Sequence, residues 1–324
     1  MAGWMLVARW PFLTKPQADD MTKPATDAPI SYIDRTTAYY LGLGYDNPYQ
    51  WAQYDDVPFV SVTKPLTEMR VGLVTTAALY QEDKGDQGPG APYNAAAKFY
   101  EVYRQPIMPF PDVRISHVAI DRDHTTAEDI GSYFPLNAML RASRAGIIKE
   151  VGAYFYGFPT NRSQRTHLDQ DAPKLAEMVK ADQLDAVIAV PNCPVCHQSI
   201  ALAMRAIEAE GIPTVIMGCA KDIVERAGVP RFYFSDFPLG NGAGRPHDTA
   251  SQDHTLAGAL DMLAAATGPR STVTSPLKWL GKPEWKTDYA NIAKLTPEEI
   301  SVRRMAFDKG KAVAATTRQG KDKG

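Results

Sequence analysis

The sequence predicts an α/β protein with a mostly parallel sheet flanked by helices, and three observations carry that prediction. Short apolar runs rich in β-branched residues recur at 69–77, 185–190 and 212–217, the pattern of strands buried on both faces. Alanine-rich segments of helical length stand at 194–210 and 249–266. From Asp185 to Met217 strand, helix and strand follow one another within about 30 residues, the length of one βαβ unit. At 324 residues the chain is long enough for two similar lobes around a cleft or for one enlarged α/β body.

Residues 1–65 read as an irregular N-terminal wrapping segment, rich in Thr, Pro, Tyr and Asp, with turns at Gly42-Leu43-Gly44 and Asn47-Pro48. Trp51, Tyr54 and Phe59 are expected to pack onto the body. A first α/β lobe is assigned to 66–180. Its opening strand, 69–77, ends in the hydroxyls of Thr75 and Thr76; a Gly, Asp and Pro-rich loop at 81–92 is a lid or a mobile segment. A strand at 113–120, a strand at 151–156 and a helix at 171–181 follow. The second lobe, 181–270, holds the βαβ unit, a helix at 222–227, a strand at 231–234 and the helix at 249–266. In the C-terminal extension, 271–324, Thr296 caps a helix with Pro297 at its first position and Glu298 and Glu299 in its first turn. That helix is expected to end near Gly310, before a disordered tail at 316–324.

The run Pro191-Asn192-Cys193-Pro194-Val195-Cys196-His197 places two of the three cysteines at redox spacing where strand becomes helix. Cys193 falls at the N-cap and Pro194 at the first helical position. A helix N-terminus favours thiolate over thiol, which makes Cys193 the candidate nucleophile and Cys196, one turn on, the resolving thiol. His197 is the candidate proton carrier. This reading requires the Cys193 sulfur to bear charge at a solvent-filled crevice and not to be sealed in hydrocarbon. A structural reading stands beside it, because Cys196, Ile200, Ala203 and Ile207 share one apolar stripe at helical spacing. No metal is expected: two thiols and one imidazole give at most three ligands, and no second CxxC is present.

Other clusters carry two readings each. Asp123 and His124 follow a strand, where they can form an acid/base pair or hold an ion, or else Thr125 or Thr126 caps a helix bearing Glu128 and Asp129. The loop 238–248 brings Gly240, Asn241, Gly242, Gly244 and Arg245 together as a cradle for a carboxylate or phosphate, or as a ligand-free turn. Its glycine spacing is not that of a dinucleotide fingerprint. His117 is expected in the core, Cys219 as a buried structural thiol, and His254 on the surface.

The segment 185–213, with Cys193-Pro194-Val195-Cys196, Ile207-Glu208 and Gly211-Ile212-Pro213-Thr214-Val215, together with Pro238-Leu239-Gly240-Asn241, resembles the selenoprotein B family of glycine, sarcosine and betaine reductases and its D-proline reductase relatives. The resemblance runs over about 69–300. It puts Cys193 at the family's selenocysteine position, Cys196 at the next cysteine and Ser199 at the third, so the chain is similar to a sulfur-only branch. It implies reductive cleavage of a C–N bond in a small amino-acid-like substrate, with a pyruvoyl group on a partner subunit and an external dithiol or thioredoxin-like electron donor. The chain itself shows no cofactor and no evident pyruvoyl-forming site. The alternative is a cysteine- or metal-dependent hydrolase or lyase, desulfhydrase-like, acting on a small sulfur or nitrogen compound. A third is a non-catalytic homologue whose thiols bind an ion.

With 44% hydrophobic and 22% charged residues and a net charge of −2, nothing points to nucleic acid or to a membrane. A homo-oligomer is compatible with this composition. Three cysteines do not make a secreted disulfide framework, and the apolar stretch at 4–7 is too short for a signal or a span, so the cytoplasm is expected.

Overall fold

The computed structural model describes residues 28–47, 49–160 and 162–321; the apolar stretch at 4–7 and Pro48 lie outside them. Helix α1 (Tyr32–Gly42) precedes strands β1 (Arg70–Thr75), β2 (Ala78–Leu79), β3 (Tyr103–Pro106) and β4 (Val113–Arg114). Helix α2 (Leu136–Arg144), strand β5 (Glu150–Gly157), the short α3 (Gln164–Thr166) and α4 (Ala172–Ala181) follow. The βαβ unit is β6 (Ala186–Val190), α5 (Pro194–Ala209) and β7 (Thr214–Gly218). Then come α6 (Lys221–Ala227), β8 (Arg231–Phe234), α7 (Thr249–Ala265), β9 (Ser271–Thr274), α8 (Trp285–Asp288) and α9 (Pro297–Lys321).

One sheet runs in the order β3-β5-β1-β6-β7-β8-β9, and β2 and β4 form a separate antiparallel pair. Every pairing in the large sheet is parallel except that of the edge strand β3 with β5. The residues read as two lobes, 66–180 and 181–270, share this sheet, with β1 of the first directly beside β6 of the second. From β1 the chain steps to β5 on one side and returns to β6 on the other. The order therefore reverses between β1 and β6, the place where doubly wound sheets bind ligands at their carboxyl ends.

Side-chain alternation builds a core on each face. Ile188, Val190, Val215 and Met217 pack with α2 and α7, while Val187, Ala189 and Ile216 pack with α4 and α5. A third cluster gathers Ile30, Tyr32, Cys219, Ala220, Phe237, Leu277 and Trp285, with Trp51 against it, and so joins the N-terminal segment and C-terminal extension to the end of β7. Tyr54 and Phe59 also pack as expected, beneath the guanidinium groups of Arg205 at 4.2 Å and Arg231 at 4.3 Å.

Several boundaries differ from the sequence reading, each for a local reason. The segment read as irregular contains α1. The strand expected at 113–120 is only Val113–Arg114, because tight turns bond Val118 N–H to Ile115 O and Ile120 N–H to Val118 O. No helix starts at Thr125 or Thr126: Ala127 has φ 55°, and Asp129 caps a single 3-10 turn, Ile130–Ser132. The loop at 81–92 is laced by amides, with Gln87 donating to Gln81 O and Gly85 O and Asn94 donating to Lys84 O and Asp86 O. Thr296 and Glu299 form a reciprocal capping box, but α9 continues through Gly310 to Lys321, over part of the tail expected to be disordered.

The helix α5 is fixed at its far end by Glu208, which together with Arg231 is wholly buried. The carboxylate accepts from Arg231 Nη1 at 2.8 Å, from Thr214 N and Oγ1 at 2.7 and 2.8 Å, and from Val60 N at 2.8 Å. Burial pushes its pKa up, and these donors oppose that push. Removing one partner of a sealed pair strands the other charge, at a cost of about 3–5 kcal/mol. Arg231→Met is expected to lose stability of that order in urea unfolding, with Glu208→Gln in the same chain recovering part of it; a loss below about 1 kcal/mol would show that the pair is not sealed.

Candidate active site

Strand β6 is buried throughout and delivers Pro191, Asn192 and Cys193 to the carboxyl edge of the sheet beside β1. Cys193 is the N-cap of α5, with extended backbone (φ −132°, ψ 170°), and its Sγ accepts the Cys196 N–H at 3.1 Å. Pro194 stands in the first turn, where a missing N–H costs nothing. Cys193 and Cys196 are joined as a disulfide, with Cα atoms 4.8 Å apart.

The cysteine pair lies under cover. Cys193 is 5% exposed and Cys196 fully buried, in the cluster that holds Val190, Ile115, Ile120, Tyr133 and Ala243. Two loops, 113–134 and 238–244, are tied to each other by Asp121 N–H to Leu239 O (3.0 Å) and Ala243 N–H to Ser132 O (2.9 Å). The open crevice that the sequence reading required at Cys193 is therefore closed in this structure.

His197 is not placed to move protons. Its Nδ1 donates to the Cys193 carbonyl at 2.7 Å, and its Nε2 accepts from the amides of Cys219 at 2.9 Å and Ala220 at 3.1 Å. Amides only donate, so Nε2 carries no hydrogen and the ring is neutral. Burial lowers its pKa to about 4, against the weaker opposing pull of the Cys193 carbonyl. The ring ties the end of β6 to the end of β7, and a Cβ on Gly218 would stand 2.7 Å from Nε2, so only glycine admits it there.

The other expected site residues divide. Thr76 does join the motif: its Oγ1 accepts from Asn192 N at 3.1 Å and Nδ2 at 3.3 Å. Thr75 Oγ1 instead accepts the local Ala77 N–H. In the glycine-rich loop, Arg245 is occupied by Asp248 at 2.8 Å and by Lys278 O at 2.9 Å, which leaves the anion cradle without its cation. Gly240 (φ 103°) and Gly244 (φ 133°) satisfy backbone turns, and Gly242 lies against Gly218 and Met217 O, where a Cβ would come within 3.3 Å. Asn241 is buried, with Nδ2 bonded to Pro238 O. Asp123 is exposed and is not the partner of His124; that imidazole lies between Asp121 at 3.0 Å and Asp288 at 3.3 Å and links the C-terminal extension to the body. Cys219 is buried, and desolvation pushes its thiol up to about 12.

A buried chain of polar groups was not anticipated. Ser199 Oγ lies 3.1 Å from His167 Nε2, whose Nδ1 is 2.9 Å from Asp171, itself paired with Arg162 at 2.9 Å. The spacing of His167 and Asp171, one helical turn, was the available signal. Among the described residues no group of three or more His, Cys, Asp or Glu is arranged to hold a metal ion, and no helix is long and apolar enough to cross a membrane.

Relatives with this arrangement of sequence are subunits of reductases. The chain is 28% identical to D-proline reductase subunit gamma of Acetoanaerobium sticklandii over 222 residues, 68% of this chain and 89% of that one. It is 26% identical to glycine reductase complex component B subunit gamma of Symbiobacterium thermophilum, over 70% of this chain and 53% of the relative. It is 23% identical to sarcosine reductase complex component B subunit beta of Peptoclostridium acidaminophilum, over 65% and 49%. The chain thus spans about half the length of the glycine and sarcosine reductase subunits it matches. No family model matches it, and no solved structure does.

The His197 clamp has a pH signature. An unfolded histidine takes its proton near 6.5, and this one near 4, so between those values the unfolded chain binds more protons and stability falls as pH falls. One such group contributes a slope of at most about 1.4 kcal/mol per pH unit. Urea unfolding of His197→Gln from pH 7 to pH 4 is expected to show a shallower slope than the wild type by up to that amount. Equal slopes would mean that the ring takes up its proton in the fold over the same pH range as in the unfolded chain.

Proposed function

The chain belongs with the D-proline, glycine and sarcosine reductase subunits, and from that premise we propose that it is a cysteine-dependent reductase component that cleaves a C–N bond in a small amino-acid-like compound. The observation that carries this reading is the Cys193–Cys196 pair, within disulfide reach at the N-terminus of α5 and beside the β1/β6 switch point.

The electron balance fits a dithiol. Cys193 thiolate displaces the amine nitrogen from carbon, forming a C–S bond as the C–N bond breaks, and the departing nitrogen keeps its electron pair and a proton. Cys196 thiolate then attacks the Cys193 sulfur; the S–S bond forms, the C–S bond breaks, and the released carbon takes a proton. The substrate gains two electrons and the thiols lose them, leaving the disulfide for an external dithiol or thioredoxin-like donor. The Cys196 amide bonded to Cys193 Sγ and the positive end of α5 support the thiolate form. With His197 engaged on both nitrogens, protons come from solvent, from the amine or from the donor. A pyruvoyl-bearing partner subunit is proposed as the component that presents the amine. Cys193 is 5% exposed, so the reaction requires a partner or the substrate to uncover it.

Cys193→Ser is expected to abolish turnover, by at least a thousandfold, with circular dichroism and unfolding midpoint retained. Wild-type-like turnover in that variant would overturn the mechanism. Consumption of external dithiol should equal product formed; a reaction that runs with catalytic traces of dithiol would instead favour hydrolysis or elimination. Alkylation of the reduced protein mapped by mass spectrometry across pH should find Cys193 reacting at lower pH than Cys219, whose thiol lies near 12.

A further inference from the structure

The two edges of the large sheet are finished differently. At one edge, β3 carries Pro106 inside the strand, and its Arg104 is paired with Asp182; proline and charge are devices that keep a further strand from joining an edge. At the other edge, β9, Ser-Thr-Val-Thr, has neither. Its pairing with β8 fixes which backbone groups are already spent. Ser271 N–H donates to Pro230 O at 3.1 Å and Ser275 N–H to Phe234 O at 2.7 Å. In the parallel register between them Val273 also bonds toward β8, so the N–H and C=O groups of Thr272 and Thr274 point outward. Among the described residues those groups have no backbone partner on that side. The Val273 side chain stands 44% exposed. Arg270, the charged residue next to the strand, has φ 57° and is engaged by the carbonyls of Tyr54, Asp55 and Glu225.

We propose that β9 is the docking edge for β9 of a second copy of this chain, joined antiparallel about a two-fold axis at Val273. The donor and acceptor pattern is its own complement. Thr272 of one copy lies opposite Thr274 of the other, the two exchange both N–H···O bonds, and the axis repeats the exchange. Val273 then meets Val273 of the second copy in the position without hydrogen bonds, with Cα atoms about 4.5 Å apart, and each exposed side chain is covered by the other. No residue from Ser271 to Ser275 is charged, so no like charges face each other at the axis. The joined sheet runs through both copies and ends on each side in the blunted strand β3, which closes the assembly at two.

Sedimentation velocity of the full-length chain tests the contact. One short strand per copy makes a small interface of the weak, reversible kind, so the dimer is expected to form from about micromolar concentration upward. Thr274→Pro removes an outward N–H and leaves the bonds to β8 in place; Val273→Lys sets two like charges on the axis. Each is expected to weaken the dimer at least about tenfold, the loss of one or two such contacts, with circular dichroism and unfolding midpoint retained. The register has its own readout. In Val273→Cys the two new thiols lie within disulfide range, whereas in Thr274→Cys, equally open to solvent, they are offset along the strands and beyond the reach of about 7 Å. Oxidation is therefore expected to link Val273→Cys into a covalent dimer and to leave Thr274→Cys largely unlinked; the native cysteines are paired or buried. A single monomeric species up to about 200 µM, well above the micromolar range of weak interfaces, overturns the proposal. So does a dimer that both Thr274→Pro and Val273→Lys leave intact, or equal linking of the two cysteine variants. If Thr274→Pro fails to fold, Val273→Lys and the cysteine pair decide it.

Discussion

Helix α5 is held between two buried polar clamps, and the geometry of the cysteine pair depends on both. At its start the His197 ring bridges the Cys193 carbonyl and the amides that follow β7. At its end the Glu208 carboxylate gathers Thr214, Arg231 and the backbone of Val60. Between them Gln198 bonds Ala52 N and Tyr49 Oη, so the wrapping segment is fastened to the same helix. A helix pinned in this way does not pivot on the sheet. The separation of Cys193 and Cys196 and their placement beside β6 are therefore set by polar contacts that never meet the sulfurs.

The buried sulfurs of Cys219 and Cys193 stand in different surroundings. Cys219 shows what desolvation does with little opposing it, a thiol driven far above its ordinary range. Cys193 is almost as deeply placed but stands at a helix terminus and accepts an amide hydrogen there. In the disulfide with Cys196 that sulfur carries no proton.

The parallel strands, the βαβ unit, the N-cap cysteine and the Thr296 cap of α9 were legible because each is written in contiguous residues: apolar runs, alanine-rich spacing, a proline after the cap. The edge strand β3, helix α2 and strand β9 were not, because their patterns are short or mixed and their pairing is decided by distant neighbours. Side-chain roles were less legible still. His197 beside a cysteine suggests proton transfer, yet its two nitrogens are taken by backbone groups four residues back and about twenty residues on. Arg245 among glycines suggests an anion, yet Asp248 three residues on occupies it. The pair Ile207-Glu208 likewise gave no hint that its acid is a buried fastening for residues 60, 214 and 231.

The contact between the Cys196 amide and the sulfur of Cys193 asks little of the element that receives it. Any polarizable, anionic chalcogen at the N-cap can accept that hydrogen and keep the helix start in register. The start of α5 is thus set by backbone and cap geometry, and the identity of the accepting atom can vary without moving it.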